Sequence, residues 1–368
     1  MPQRDFYIDR LRSVMTVLVI LHHTAITYGA MGGWFWHEVQ PSRTPSSILL
    51  ILFCTTNQAY FMGFFFLLAG YFTPASLDRK GYGQFILDRM IRLGIPTLAF
   101  GLILGPLTAA LVTAAQGNGF WPTFVWLWHR KQFISGPLWF AEALLVFSLC
   151  YVLVRRVIGP QPDAPAEAQP KPSPLPGWRA WFIGALVVGA AALALRQAFP
   201  IGDSLYGYWA MYVFLFVVGI RAKPRNWLAQ LTWKRTKPWV RTTCLVWPTL
   251  PIGWALSRGH VNFNTGFSWG AFLYAFWEPL VAWGLIAAWL LVFREHMNQP
   301  SAFWSWLNRR AYAVYIVHPP VLVGIALLLH GWVAPALVKF GVVGLLACVA
   351  TWLVSDPLVR IPGIRSVV

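Results

Sequence analysis

Apolar stretches recur along the whole chain, most of them about 17 to 25 residues long, the length an α-helix needs to cross ~30 Å of hydrocarbon. They fall roughly at 11–31, 48–72, 93–115, 136–154, 180–199, 205–220, 242–257, 267–293, 311–330 and 333–354. Lipid offers the backbone no hydrogen-bond partner, so segments of this kind must close their own amide bonds as helices. With 57% hydrophobic and 11% charged residues in 368, too little polar surface remains to cover a water-soluble globule. The chain therefore predicts an all-α integral membrane protein of about ten transmembrane helices. The seventh stretch, with Pro248 and Pro251, carries the weakest helical signal. The first reads as a span rather than a cleavable leader, because His22 and His23 sit in its middle.

Cytoplasmic loops retain Lys and Arg. With ten spans and a cytoplasmic N-terminus, 23 of the 29 basic residues fall inside and six outside: Arg43, Arg130, Lys131, Arg196, Arg258 and Lys339. Both termini are expected in the cytoplasm. The net charge of +17 is spread over short loops facing anionic lipid, which argues for membrane lipids and against nucleic acid as a partner. It can also attract an anionic substrate. Cys54, Cys150, Cys244 and Cys348 stand singly without CxxC spacing, so neither a disulfide framework nor a metal site is expected. Residues 159–177, rich in Pro and Ala, read as a disordered cytoplasmic linker inside a single polytopic domain covering 1–368.

Ionisable residues at membrane depth are costly and usually face a cavity or a partner. Here they are His22, His23, Glu142, Glu278 and His318, with Arg12 at the cytoplasmic mouth of the first span. The eleven-residue offset from Arg12 to His23 is three helical turns plus about 20°, placing both on one face about 16 Å apart. His22 points about 100° away. Arg grips phosphate through a planar fork and neutral His can take a proton, so the pair suits an anion clamp with a base deeper in the same crevice. The alternative is a positive-inside anchor and a helix–helix hydrogen bond. Arg79, Lys80, Arg89 and Arg92, ahead of Pro96, suit phosphates or lipid headgroups.

Glu142 follows Trp139 by three residues and can orient a sugar hydroxyl beneath that indole, or pair with a neighbouring helix; Glu278 beside Trp277 has the same two readings. Tyr315 and His318 lie one turn apart on a shared face. Pro319 and Pro320 follow at once and predict a local break whose freed backbone groups need protein or a water-filled cavity. His318 is then either a buried structural residue or a second polar wall of the cavity. Of the 22 Trp residues, only Trp139 is assigned a function; the rest read as interfacial belt and packing.

In combination these residues resemble the membrane-bound acyltransferase-3 family. Its hallmark, an Arg followed after ten residues by His in the first span, is matched by Arg12 and His23. The run from Phe64 to Tyr71 is similar to the family's Phe-Phe-x-x-Ser-Gly-Tyr segment, with Ala69 in place of Ser. Arg89, Arg92 and Pro96 resemble its basic entry to the third span, and Leu138-Trp139-Phe140 its Leu-Trp-Phe element. Ala311 through His318 resembles its Ser-Tyr-x-x-Tyr-x-x-His element, again with Ala for Ser. Both replacements remove a hydroxyl that could have hydrogen-bonded there. Gly136 to Leu145 and the paired Trp34 and Trp36 look most like the glucans biosynthesis protein C branch, associated with succinylation of periplasmic glucans.

The resemblance implies a multi-pass enzyme of the bacterial inner membrane that moves an acetyl- or succinyl-type group from acyl-CoA to a glycan hydroxyl. It implies acyl-CoA as co-substrate and no permanently bound cofactor. Arg12, Arg89 and Arg92 would hold the donor's phosphates, and His23 would act as general base or transient acyl carrier. His318 and Tyr315 would stabilise the oxyanion or orient the acceptor, while Glu142 and Trp139 would bind the glycan. The competing class is a transporter or flippase for a glycan or lipid-linked saccharide, whose path the same ionisable residues would line. A scaffold subunit is the third.

Overall fold

The computed structural model describes residues 5–159, 173–199, 205–258, 260–365 and 367, and no strand occurs among them. Helix α1 (Phe6–Thr27) takes up the first apolar stretch, and α2 (Pro45–Arg89) begins ahead of the second. The Thr44 hydroxyl accepts the Ser47 N–H, and Pro45 occupies the first helical position, where its missing donor costs nothing. Past the apolar stretch α2 continues as a polar extension, kinked at Gly81, whose φ of 73° a side chain would oppose.

The third stretch is not one regular helix. Wide π-type turns, Met90–Gly94 and Phe100–Leu104, bracket α3 (Ile95–Ala99) ahead of α4 (Gly105–Ala115). Each wide turn lies just before a proline, Pro96 or Pro106, that cannot donate to the carbonyl four residues back. A short helix, α5 (Phe120–His129), lies between the third and fourth apolar stretches. Its Trp121, Trp126 and Trp128 are exposed, in the manner of an interfacial aromatic belt.

A 3₁₀ turn, Gly136–Leu138, leads into α6 (Trp139–Ile158); α7 (Trp178–Ala198) follows, then a second 3₁₀ turn (Leu205–Tyr208) and α8 (Trp209–Ala222). The seventh stretch is broken at Trp247 and Pro248 into α9 (Trp233–Val246) and α10 (Thr249–Ser257). Last come α11 (Trp269–His296), α12 (Ala302–Leu328), α13 (Ala336–Leu358) and the single turn α14 (Pro362–Arg365). Contrary to the expected break, α12 runs unbroken through Pro319 and Pro320.

By length and composition, six helical segments among the described residues can cross a membrane: Pro45–Ala115, Gly136–Ile158, Trp178–Ala198, Trp269–His296, Ala302–Leu328 and Ala336–Leu358. Tyr206–Ala222 is a shorter apolar helix. The protein is thus an all-α integral membrane protein. Of the expected linker, residues 160–172 lie outside the described residues. Its downstream end is held rather than loose, since the Leu175 N–H donates to Gln230 Oε1 at 2.9 Å and Gln230 Nε2 donates to the Ser173 carbonyl at 3.1 Å.

The chain forms two compact units. The first comprises residues 1–11, 58–80 and 150–299. In it α11 packs against α7 and α9. Two glycines bring α2 and α8 into backbone contact: a β-carbon on Gly70 would strike the Phe216 carbonyl, and one on Gly219 the Leu67 carbonyl. Gly70 of the family-like Phe-Phe-Phe-Leu-Leu-Ala-Gly-Tyr run is therefore a packing residue. Glu278 settles into the helix-pairing alternative, as an ion pair with Arg196 of α7.

The second unit comprises residues 12–57, 81–149 and 300–368. Its α12 packs against α13 and α4. Ile20, Ala25 and Tyr28 from α1 and its exit share a core with Val314 and Leu322 of α12 and Val343 and Trp352 of α13. At one end of this core Asp356 accepts hydrogen bonds from Arg310, at 2.6 Å, and from the Trp306 indole, at 3.2 Å.

Candidate active site

The second unit brings the two histidines of the sequence analysis together. On α1 the Thr16, Thr24 and Thr27 hydroxyls donate to the carbonyls of Arg12, Ile20 and His23, at 2.9, 2.8 and 3.1 Å. Each of these three hydroxyls is thus satisfied on its own helix, and α1 runs as one helix from Phe6 to Thr27. Beyond Thr27 the chain turns back over the helix it has left. Gly29, at φ 120°, permits the turn, and the N–H groups of Glu38 and Val39 close it on the Thr27 carbonyl at 2.9 and 3.1 Å. Ser47 Oγ donates to the Gly29 carbonyl at 2.5 Å.

That return lays the Trp34 indole flat on the His23 imidazole, with centroids 4.0 Å apart and planes 7° apart. The His318 ring lies 5.2 Å from His23 and 8° off its plane. His23 Nδ1 is 3.0 Å from His318 Nε2. His22 stands at 88° to His23, edge-on at 5.7 Å, in keeping with its different helical face.

Acceptor chemistry assigns the protons. His318 Nδ1 lies 2.8 Å from the Tyr315 carbonyl, which can only accept, so Nδ1 carries the hydrogen. In the neutral ring Nε2 then has the lone pair. His23 Nδ1 must donate to it, and the lone pair of neutral His23 is left on its far nitrogen, Nε2. His318 is fully buried, whereas His23 is only partly so. One imidazole is thus oriented by the other, which leaves the outer nitrogen of His23 outside the pair.

Other side chains of α12 anchor this wall. The Tyr315 hydroxyl donates to the Pro137 carbonyl, ahead of α6, and the Phe140 ring meets Tyr315 edge-on at 6.1 Å. One turn back, the Tyr312 hydroxyl donates to the Arg92 carbonyl at 2.6 Å. Pro96 deprives that carbonyl of its usual helical donor. Tyr315 and His318 thus have their donors engaged by backbone carbonyls. A second feature of the pair's surroundings is the Trp34 indole N–H, buried without a hydrogen-bond partner.

Arg12 and Arg92 are exposed and Arg89 is half-buried. Arg92 and Arg12 each act electrostatically on Arg89, a concentration of positive charge that favours an anion. Glu142, half-buried in the first turn of α6, has one carboxylate oxygen buried without a partner. Trp139 packs edge-on against Phe140, at 6.4 Å. Among the described residues, no cluster of three or more His, Cys, Asp or Glu is placed to hold a metal ion.

Sequence reasoning selected His23, His318 and Tyr315 but not the direct bond between the two imidazoles. It also missed Trp34, the tryptophan that touches His23, in favour of Trp139. The available signal was the pair Trp34 and Trp36, only eleven and thirteen residues beyond His23 and followed by polar residues that turn the chain.

These elements are a hydrogen-bonded imidazole pair, a basic surface at the other end of the same helix, and polar residues around both. A family model for an acyltransferase domain matches residues 5–356, and the chain belongs to the acyltransferase-3 family. The chain is also similar to glucans biosynthesis protein C of Shigella dysenteriae serotype 1 (strain Sd197), 28% identical over 166 residues. That match covers 42% of this chain and 40% of the relative, less than half of either. No solved structure matches the chain.

Proposed function

We propose that the protein transfers an acyl group, of acetyl or succinyl type, from acyl-CoA to a hydroxyl of a glycan or similar cell-envelope acceptor, with His23 as general base. The observation that carries this reading is the 3.0 Å contact between His23 Nδ1 and His318 Nε2, which leaves His23 Nε2 as the outward lone pair. The positive-inside distribution of Lys and Arg supports a cytoplasmic position for both termini, Arg12, Arg89 and Arg92, on the side where acyl-CoA is found. The three arginines bind its phosphates by charge-assisted hydrogen bonds. The thioester arm extends along α1 toward His23.

His23 Nε2 takes the acceptor's hydroxyl proton as the oxygen attacks the thioester carbonyl. The carbon–sulfur bond breaks, the ester forms, and the departing thiolate receives the proton from His23. While His23 is an imidazolium, its Nδ1–H points at the His318 lone pair, and the Trp34 π-face covers the ring. The Trp34 indole N–H is the donor assigned to the carbonyl oxygen in the transition state. Glu142 and Trp139 hold the acceptor sugar. The relative's name supports a glucan as the acceptor class.

The test is thioester consumption by purified protein in detergent with succinyl-CoA or acetyl-CoA and an oligoglucan acceptor. Acyl-ester formation that disappears in His23→Ala is the expected result. Movement of the saccharide across proteoliposomes with no loss of thioester would overturn the reading in favour of a carrier.

A further inference from the structure

The orientation of the histidine pair depends on a group that proline lacks. In a continuous α-helix each carbonyl accepts the N–H four residues on. The Tyr315 carbonyl should accept from residue 319, and that residue is Pro319, within a helix that runs unbroken from Ala302 to Leu328. The freed carbonyl is the one that His318 Nδ1 meets at 2.8 Å. From this point each assignment forces the next: Nδ1–H on His318, lone pair on its Nε2, Nδ1–H on His23 at 3.0 Å, lone pair on His23 Nε2.

We infer that Pro319 is a positioning residue of this site: by carrying no N–H it leaves the Tyr315 carbonyl to His318 without a competing helical donor, and so favours the tautomer that leaves His23 Nε2 as the base. Pro319 touches neither substrate nor the reacting atoms in this assignment. It acts through His318. The kinetic consequence rests on the proposed acyltransferase reading, whereas the tautomer assignment does not.

The same helix supplies a control. Pro320 frees the Ile316 carbonyl in the same way, yet that carbonyl is not the acceptor of His318 Nδ1. The ionisable groups facing His23 are His318 from α12 and His22 from α1, so a tautomer change at His318 is read most directly in His23.

The experiment is long-range proton–nitrogen correlation NMR on full-length protein in detergent, labelled with ¹⁵N-histidine and assigned with His23→Gln and His318→Gln. Parent protein should show the Nδ1–H tautomer at both residues. Pro319→Ala, which introduces a good helix former and returns an N–H to Tyr315, should shift His318 toward the Nε2–H form. It should also lower kcat about fivefold or more, the factor one ordinary hydrogen bond carries, with KM changed by less than about twofold. Pro320→Ala should leave both tautomers and kcat at the parent values. A Pro319→Ala protein with the parent's tautomers, or a Pro320→Ala protein with the same shift, would overturn the inference. Failure of the acyltransferase reading is seen separately, as no thioester consumption by the parent protein, and leaves the tautomer test in force.

Discussion

His23 and His318 are 295 positions apart in the chain, and their facing ring nitrogens are 3.0 Å apart in the fold. Two imidazolium ions cannot be held at that distance at reasonable cost, so the pair takes up at most one proton. In the proposed reaction, a proton taken from an acceptor hydroxyl is held by the pair as a single charge, with His318 Nε2 as the acceptor facing the His23 Nδ1–H.

His23→Ala should abolish acyl transfer while the protein still inserts and binds donor. His318→Ala, which leaves the base in place but without its orienting partner, should lower kcat by about 10²-fold, the low end for general-base assistance. His22→Ala should produce a milder loss. Steady-state kinetics on the three purified variants checks the order; a dead His22→Ala beside an active His23→Ala would reverse the assignment.

Trp34 stacks on the face of His23 and should stabilise the imidazolium by about 1 to 2 kcal/mol, as a desolvated cation–π contact does. Trp34→Leu should then lower kcat by roughly 5- to 30-fold. Trp34→Phe keeps a π-face and should recover most of the stacking contribution. Equal losses in Leu and Phe variants would instead assign the effect to the indole N–H.

Arg12→Ala and Arg89→Ala should act on donor binding. A hydrogen bond to a charged group contributes about 1.5 to 3 kcal/mol, so each change should weaken acyl-CoA binding by roughly 10- to 150-fold. Titration calorimetry with CoA at two salt concentrations checks this. Affinity of the parent protein should fall with added salt more steeply than that of either variant.

Arg196 and Glu278 form an ion pair whose side chains are 1% and 6% exposed. Removing either partner strands a buried charge and should cost about 3 to 5 kcal/mol, whereas Arg196→Met with Glu278→Leu should restore much of that stability. Thermal unfolding of the detergent-solubilised variants separates the two cases. A double variant no better than the singles would show that the pair contributes more than mutual neutralisation.

Hydropathy was informative about helices because apolar length is a one-dimensional property. It failed where continuity depends on particular residues. Pro96 and Pro106 turned the third stretch into helix interrupted by wide turns, while Trp247 and Pro248 split the seventh. Pro319 and Pro320 suggested a break, yet α12, packed against α13 and α4, runs whole, and His318 takes up a carbonyl left without its donor. The candidate site was legible as residue types, since histidines at membrane depth are conspicuous. Their contact was not, because nothing within either helix encodes which carbonyl or ring it meets on another. Trp34 was hidden among 22 tryptophans, and Glu278 gave no sign that its partner lay in α7.

The Arg196–Glu278 pair also sets a clock for assembly. Glu278 follows Arg196 by 82 residues, so at ordinary synthesis rates of 5 to 20 residues per second the arginine waits roughly 4 to 16 s for its counter-charge. During that interval α7 exists without α11, and a guanidinium without its carboxylate is poorly tolerated in hydrocarbon. The nascent α7 should remain near the insertion machinery or the interface until α11 emerges, which makes the two helices a single event in membrane integration although they are separate in sequence.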